Sequence, residues 1–293
     1  MAEQSLLGTA VRLGVSLDAL AALAAHARVE SEGLAVDPQV RDLLDAIAAE
    51  LVGPGADASG AGSTVGMVRA FLRQAIDLVE SPGRLGQWAE VDPVLLQGIG
   101  RLSMAIAGAI GVAEASLPGL GERLRAPGAR ILDVGTGTAW LAIALARAYP
   151  TAEVMGLDLY PLALDLARVN VTNEGLTDRV LLRELDVADL DETDAYDAIW
   201  LPLPFLPKAV IPAAVAAAAR ALRPGGWLLP GLFAGTDDRV SQLLTDLRTV
   251  RSGGHPWPLD ELLAVLRAEG FTDTTEVPRT WAAPVRLFAG RKP

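Results

Sequence analysis

The chain has 293 residues, 51% of them hydrophobic, and a formal net charge of −11. This length and apolar content suit two domains or one elaborated domain with a large core. The acidic balance argues against a nucleic-acid partner, and the absence of cysteine with only two histidines, His26 and His255, excludes disulfides, thiolate metal sites, a cysteine nucleophile and a histidine-rich metal centre.

Met1-Ala-Glu-Gln carries an acid where a secretion signal has a basic stretch. No run approaches the ~18–20 uncharged apolar residues of a membrane span. Both observations, with the missing cysteines, lead us to expect a cytoplasmic protein without a membrane partner.

Residues 1–125 read as helices. Ser16 precedes an apolar stripe as a capping residue. Asp37-Pro38 is an N-cap followed by proline, and Val40, Leu43, Leu44, Ile47 and Leu51 recur at helical spacing. Gly53 to Gly62 is a loop, and Ser63 is placed to open the next helix. Gly83 to Val91 is a connector containing Trp88. Asp92-Pro93 opens a long helix through Leu96, Ile99, Met104 and Ile110.

From Ala129 the texture alternates. Strand 129–134 leads through Gly135 and Gly137 to a helix over 138–149. Strand 152–158 ends at Asp158, before a helix opened by Pro161. Strand 179–185 ends at Asp186. Strand 196–201 meets a proline-rich turn, then a helix over 208–222. Arg223-Pro-Gly-Gly reads as a turn into strand 227–233. Helices 238–250 and 259–269 follow, with His255 in the loop between them, and strands 272–277 and 285–290 close the chain. Five βα units imply a mainly parallel, doubly wound sheet, and the short link between the last two strands implies an antiparallel hairpin at one edge. The fold class is therefore α/β, a doubly wound seven-stranded sheet preceded by an all-α domain, with residues 1–125 and 126–293 as the two domains.

Ligands of such sheets bind at the carboxyl ends of the strands. The glycine turn, Asp158, Asp186 and Trp200-Leu-Pro-Leu-Pro all fall there. An acid ending the second strand suits ribose hydroxyls and repels a 2′-phosphate. An acid after the third can accept from an exocyclic amine such as that of adenine. A dinucleotide site asks for Gly-x-Gly-x-x-Gly, but the third position, counted from Gly135, is Trp140, which argues against NAD or FAD and hence against a nicotinamide oxidoreductase. The other pattern, Asp-x-Gly-x-Gly-x-Gly, is met by Asp133, Gly135, Gly137 and Ala139, with alanine in the last place.

Leu-Asp-Val-Gly-Thr-Gly-Thr-Ala, Val-Met-Gly-Leu-Asp-Leu, Glu-Leu-Asp-Val-Ala-Asp-Leu, Tyr-Asp-Ala-Ile-Trp-Leu-Pro and Leu-Arg-Pro-Gly-Gly-Trp-Leu-Leu stand in this order. With the terminal strand pair they make residues 126–293 resemble a class I S-adenosylmethionine-dependent methyltransferase, of Rossmann-like fold. The resemblance implies S-adenosyl-L-methionine as cofactor. It implies that Gly135 and Gly137 pass near the methionine part, that Asp133 helps hold its amino group, and that Asp158 holds the ribose. Leu159 would lie against adenine, Asp186 and the Val187 backbone would read its edge, and carbonyls around Leu201 and Pro202 would face the amino group. The cofactor is net cationic, and the acids at three strand ends suit it.

Leu201-Pro-Leu-Pro-Phe205 stands where amine and amide methyltransferases of this family often have Asn-Pro-Pro-Tyr, and the asparagine position here is Pro202. The reading is therefore O- or C-methylation of a small apolar or aromatic acceptor, as in specialised metabolism. The alternative is a methyltransferase-fold cyclase or a non-methylating S-adenosylmethionine-binding protein. The N-terminal helices resemble the lid and dimerisation region of small-molecule O-methyltransferases, which implies a homodimer and an acceptor pocket lined by Trp88, Met104, Trp200 and Phe205. His255 is the candidate general base for a hydroxyl acceptor, with fixing its loop against Trp257 or capping a helix as the other readings. No metal is expected.

Overall fold

Seven strands pair in the order β3-β2-β1-β4-β5-β7-β6 in the computed structural model, which describes residues 5–53, 61–86, 92–236, 238–281 and 283–293. They are β1 (Arg130–Val134), β2 (Glu153–Asp158), β3 (Val180–Glu184), β4 (Tyr196–Pro202), β5 (Leu222–Phe233), β6 (Thr272–Glu276) and β7 (Val285–Arg291). The first five run parallel, and β7 pairs antiparallel with both β5 and β6. Composition explains which of the last two strands is the edge. β6 is Thr-Asp-Thr-Thr-Glu, whereas β7 buries Val285, Leu287, Phe288 and Ala289. A polar strand tolerates the open side of a sheet.

Side chains alternate between two apolar layers, as a sheet buried on both faces requires. Ala198, Trp200, Trp227 and Leu229 join one layer with α4 (Pro93–Ala113), α5 (Leu120–Arg125), α6 (Trp140–Ala148) and α7 (Pro161–Asn173). Ile199, Leu201, Leu228 and Leu232 join the other with α8 (Ile211–Ala221) and α10 (Leu259–Ala268). Between these last two lies α9 (Arg239–Arg251), capped by Asp238, which accepts from Ser241 N at 2.9 Å.

The chain divides into two units, Met1–Pro82 and Gly83–Pro293. The first contains α1 (Leu6–Glu32), α2 (Pro38–Val52) and α3 (Ala61–Glu80), with α1 packed on both others. The division differs from the expected boundary at residue 125 because α4 packs along α6, and α5 against β4 and β5. Three local expectations change as well. α1 starts at Leu6, where Ser5 accepts from Gly8 N at 3.1 Å, so Ser16 lies inside the helix. α3 opens before Ser63. Arg223-Pro-Gly-Gly is part of β5, at a register shift opposite Tyr196 and Ala198, with Gly225 at φ 75°. Asp37 and Asp92 cap α2 and α4 as expected.

Among the described residues two helical segments, Leu6–Glu32 and Pro93–Ser116, are long and apolar enough to cross a membrane by length and composition. Arg12 and Asp18 interrupt the first, and the second belongs to the layer over the sheet.

Candidate active site

The turn between β1 and α6 has three left-handed residues, Gly135 (φ 64°), Gly137 (φ 55°) and Ala139 (φ 64°). Glycine adopts this conformation freely, whereas for alanine it costs about 1–2 kcal/mol. The turn is stitched to β2: Thr136 N donates to the Leu157 carbonyl at 2.8 Å, and Gly137 N donates to Asp158 Oδ2 at 2.7 Å. A Cβ on Gly135 would stand 3.2 Å from Pro202 Cγ, so the turn also lies against the end of β4.

Asp133 is 1% exposed and accepts from Thr136 Oγ1 at 2.8 Å. Burial raises its pKa from 3.8 to about 7, with the charge of Asp158 adding and the Thr136 hydrogen bond opposing. Asp158 is also held above the usual carboxylate value by burial, although it accepts from Tyr160 N at 2.9 Å as well as from Gly137 N. Leu185 N donates to the Asp158 carbonyl, which sets Asp186 just beyond the end of the β2–β3 pairing. Asp186 accepts from Ala188 N at 2.9 Å and caps a 3-10 turn over Val187–Asp189. Leu159 is 61% exposed at the end of β2, while Leu201 and Val187 are buried.

Asp133, Gly135, Gly137, Asp158 and the end of β4 are thus brought together by direct contacts, with Asp186 and Leu159 at the neighbouring strand ends. Trp140 occupies the third-glycine position of a dinucleotide site, and its Nε1 donates to Gln97 Oε1 at 2.6 Å. Residues that fit a cationic, ribose-bearing ligand are present: a turn with glycine at 135 and 137, carboxylates partly satisfied by backbone amides, and an exposed leucine.

The acceptor-side expectations separate. Trp88 lies outside the described residues. Met104 is half-buried against the layer that contains Trp140 and Trp200. Trp200 is buried across Gly231, where a Cβ would overlap its ring. Phe205 stacks edge-on to Phe233, centroids 5.7 Å apart. His255 lies edge-on to Trp257 at 5.1 Å, and its Nε2 is 3.2 Å from Lys208 Nζ, which pairs with Glu261 at 2.6 Å. The loop around it abuts the end of β4, since a Cβ on Gly254 would meet the Pro204 carbonyl. α10 is preceded by Pro258 without a side-chain cap, so His255 does not cap it.

Sequence reasoning missed Lys208, Gln97 and Asn170. Only Asn170 left a signal: it lies on the apolar stripe of α7 with Ala163, Ala167 and Val171, where a polar side chain needs a buried partner. Among the described residues no group of three or more His, Cys, Asp or Glu could hold a metal ion.

A model of the methyltransferase domain matches residues 131–226. The Ribosomal protein L11 methyltransferase of Symbiobacterium thermophilum is 36% identical over 126 residues, which cover 43% of this chain and 39% of that one. The Release factor glutamine methyltransferase of Gloeobacter violaceus is 35% identical, over 42% of this chain and 54% of that one. The chain thus spans about half the length, or less, of these curated relatives. The structure of an O-methyltransferase family protein from Burkholderia thailandensis aligns over 99% of both chains, with a TM-score of 0.67 and 19% identity.

Proposed function

From the match of residues 131–226 to a methyltransferase domain and the fold shared with an O-methyltransferase family protein, we propose that the protein transfers a methyl group from S-adenosylmethionine to a small apolar or aromatic acceptor, at oxygen or carbon. The observation that carries the cofactor half is the pair of carboxylates on the glycine turn, where Asp133 accepts from Thr136 and Asp158 braces the Gly137 amide. S-adenosylmethionine would supply an electrophilic methyl group on a sulfonium.

The chain's own residues then bind and orient. Asp133 lies behind the turn to balance an ammonium, through the turn or a water. Asp158 keeps free lone pairs on both oxygens for ribose hydroxyls. Leu159 offers an apolar face to adenine, and Asp186 with the Val187 backbone takes its polar edge. The Leu201 and Pro202 carbonyls complete the ammonium site. Because the sulfonium is already a good leaving group, positioning supplies much of the acceleration.

Lys208 Nζ faces Nε2 of His255, which takes that nitrogen away from a general-base role. We therefore assign it to fixing the loop against Trp257, which suits an acceptor that ionises unaided or is methylated at carbon. Met104 and Phe205 remain the proposed acceptor contacts, with Trp200 buried against β5.

A second reading is methylation of a protein glutamine amide. The identity to enzymes of ribosomal protein and release factor favours it. Against it, proline at 202 provides no side-chain amide at the strand end. Calorimetry with S-adenosylmethionine, S-adenosylhomocysteine and NAD tests the cofactor: neither sulfur ligand binding to folded protein refutes both readings. Labelled methyl transfer to a panel of phenols and aromatic acids, beside release factor and ribosomal protein, decides the acceptor; label on polypeptide alone refutes the first reading.

We also propose a cytoplasmic homodimer formed through the N-terminal unit. Leu6 (93% exposed), Leu7 (75%) and Val15 (70%) leave large apolar side chains on α1 in water. A monomer by light scattering at micromolar concentration would refute the dimer.

A further inference from the structure

Gln97, in the first half of α4, makes three side-chain hydrogen bonds to residues of α6 and α7. Its Oε1 accepts from Trp140 Nε1 at 2.6 Å and from Asn170 Nδ2 at 3.1 Å, and its Nε2 donates to Asn170 Oδ1 at 3.0 Å. Asn170 Nδ2 also donates to the Thr138 carbonyl at 2.8 Å. One side-chain amide on α4 is therefore two hydrogen bonds from the backbone of the glycine turn. One turn further along α4, Gly100 lies directly on that turn. A Cβ there would overlap Thr138 Oγ1 and stand 3.0 Å from Trp140 Cδ1. The Arg101 guanidinium covers the Trp140 ring at 4.7 Å.

The same contact has an opposing component. Thr138 Oγ1 is buried and has no hydrogen-bond partner among the described residues. Docking α4 removes water from a hydroxyl and offers nothing in exchange, which is unfavourable. The two halves of α4 are also held differently. Ala107, Ala109, Ile110 and Ala113 are buried in the apolar layer, whereas most of residues 93–106 are half-buried or exposed. The first half thus rests on buried Leu96 and the Gln97 contacts, set against a desolvated hydroxyl, and the second half is anchored by more extensive core packing.

We propose that Gln97 is a positioning residue that couples docking of the first half of α4 to order in the Thr136–Ala139 turn. Binding of a ligand in the turn then strengthens the docking of α4, which carries Met104 of the proposed acceptor surface. By thermodynamic reciprocity, an acceptor that holds α4 down raises cofactor affinity by the same factor. The identity of the ligand rests on the S-adenosylmethionine reading above; the hydrogen-bonded chain does not.

The test is hydrogen exchange on the full chain, with and without S-adenosylhomocysteine, beside calorimetric affinity. In wild type the ligand should slow exchange both in the turn and over residues 94–106. In Gln97→Leu the slowing should persist in the turn and vanish in α4, with affinity down about tenfold. Gln97→Glu keeps acceptors for Trp140 and Asn170 and should recover part of both effects. Thr138→Val, which removes the unpaired hydroxyl at similar volume, should slow exchange over 94–106 in the free protein, and it serves if Gln97→Leu does not fold. A purely structural Gln97 would raise exchange in α4 equally in both states and leave the ligand-dependent slowing intact, which would overturn the proposal. If wild type binds no S-adenosylhomocysteine, the cofactor reading fails and the free proteins decide. Gln97→Leu should then speed exchange in both α4 and the turn, and no change in either overturns the coupling.

Discussion

Replacing Asp133 by asparagine should make the protein more stable at pH 8 and worse at binding its cofactor. Asp133 is 1% exposed, and its carboxyl has a folded pKa of about 7 against 3.8 for an aspartate in water, chiefly because burial penalises the charge. Below pH 3.8 the group is protonated in folded and unfolded chains alike, and its contribution is fully present. Between pH 3.8 and about 7 the folded chain binds a proton that the unfolded chain has lost, so stability falls as pH rises through this window. The displacement corresponds to a loss of up to about 4 kcal/mol above pH 7. Asparagine has nearly the same volume, carries no charge, and can still accept from Thr136 Oγ1. Asp133→Asn should therefore gain several kcal/mol over wild type at pH 8 and almost none at pH 4, measured by urea unfolding at both pH values. Affinity for S-adenosylmethionine at pH 8 should fall about tenfold or more, the scale of a charge-assisted hydrogen bond. Equal stability differences at the two pH values would refute the buried-charge argument. Unchanged affinity would refute the placement of Asp133 behind the ammonium.

Asp158→Asn should weaken cofactor binding at least tenfold by calorimetry and cost about 1–2 kcal/mol, since one of the Gly137 and Tyr160 amides then faces an NH2 group; unchanged affinity would exclude a ribose role. Ala139→Gly should change stability by less than about 1 kcal/mol, because relief of the left-handed alanine offsets the lost methyl and the freer unfolded chain. Ala142→Gly, within α6 and fully buried, should cost about 2 kcal/mol, and chemical denaturation of the pair checks the contrast. Gly231→Ala should lower stability by more than about 2 kcal/mol and shift the Trp200 fluorescence, as the new methyl overlaps the indole.

The elements of this fold are local quantities, and most were legible before any coordinates. Strand alternation, the Asp-Pro helix starts, and acids or glycines at strand ends depend on a few neighbouring residues. The residues expected on the cofactor side are almost wholly such strand-end residues, because parallel strands with helical crossovers bring successive carboxyl ends to one edge. What the chain order concealed is long-range. Nothing within a few positions of Gln97 marks its pairing with Asn170, 73 residues away, or with Trp140, 43 away. Lys208 meets His255 across 47 residues, so the ammonium facing the candidate base was invisible. α4 had the composition of the N-terminal helices, and only its packing on α6 joined it to the sheet. The order β5-β7-β6 likewise rested on comparing two strands for the covered place. The sequence by itself determined the units and the chemistry at their ends, through short-range sterics, periodicity and capping. The tertiary structure alone decided which helix lies on the glycine turn and which side chains meet there, because those contacts exist only once distant segments have desolvated each other.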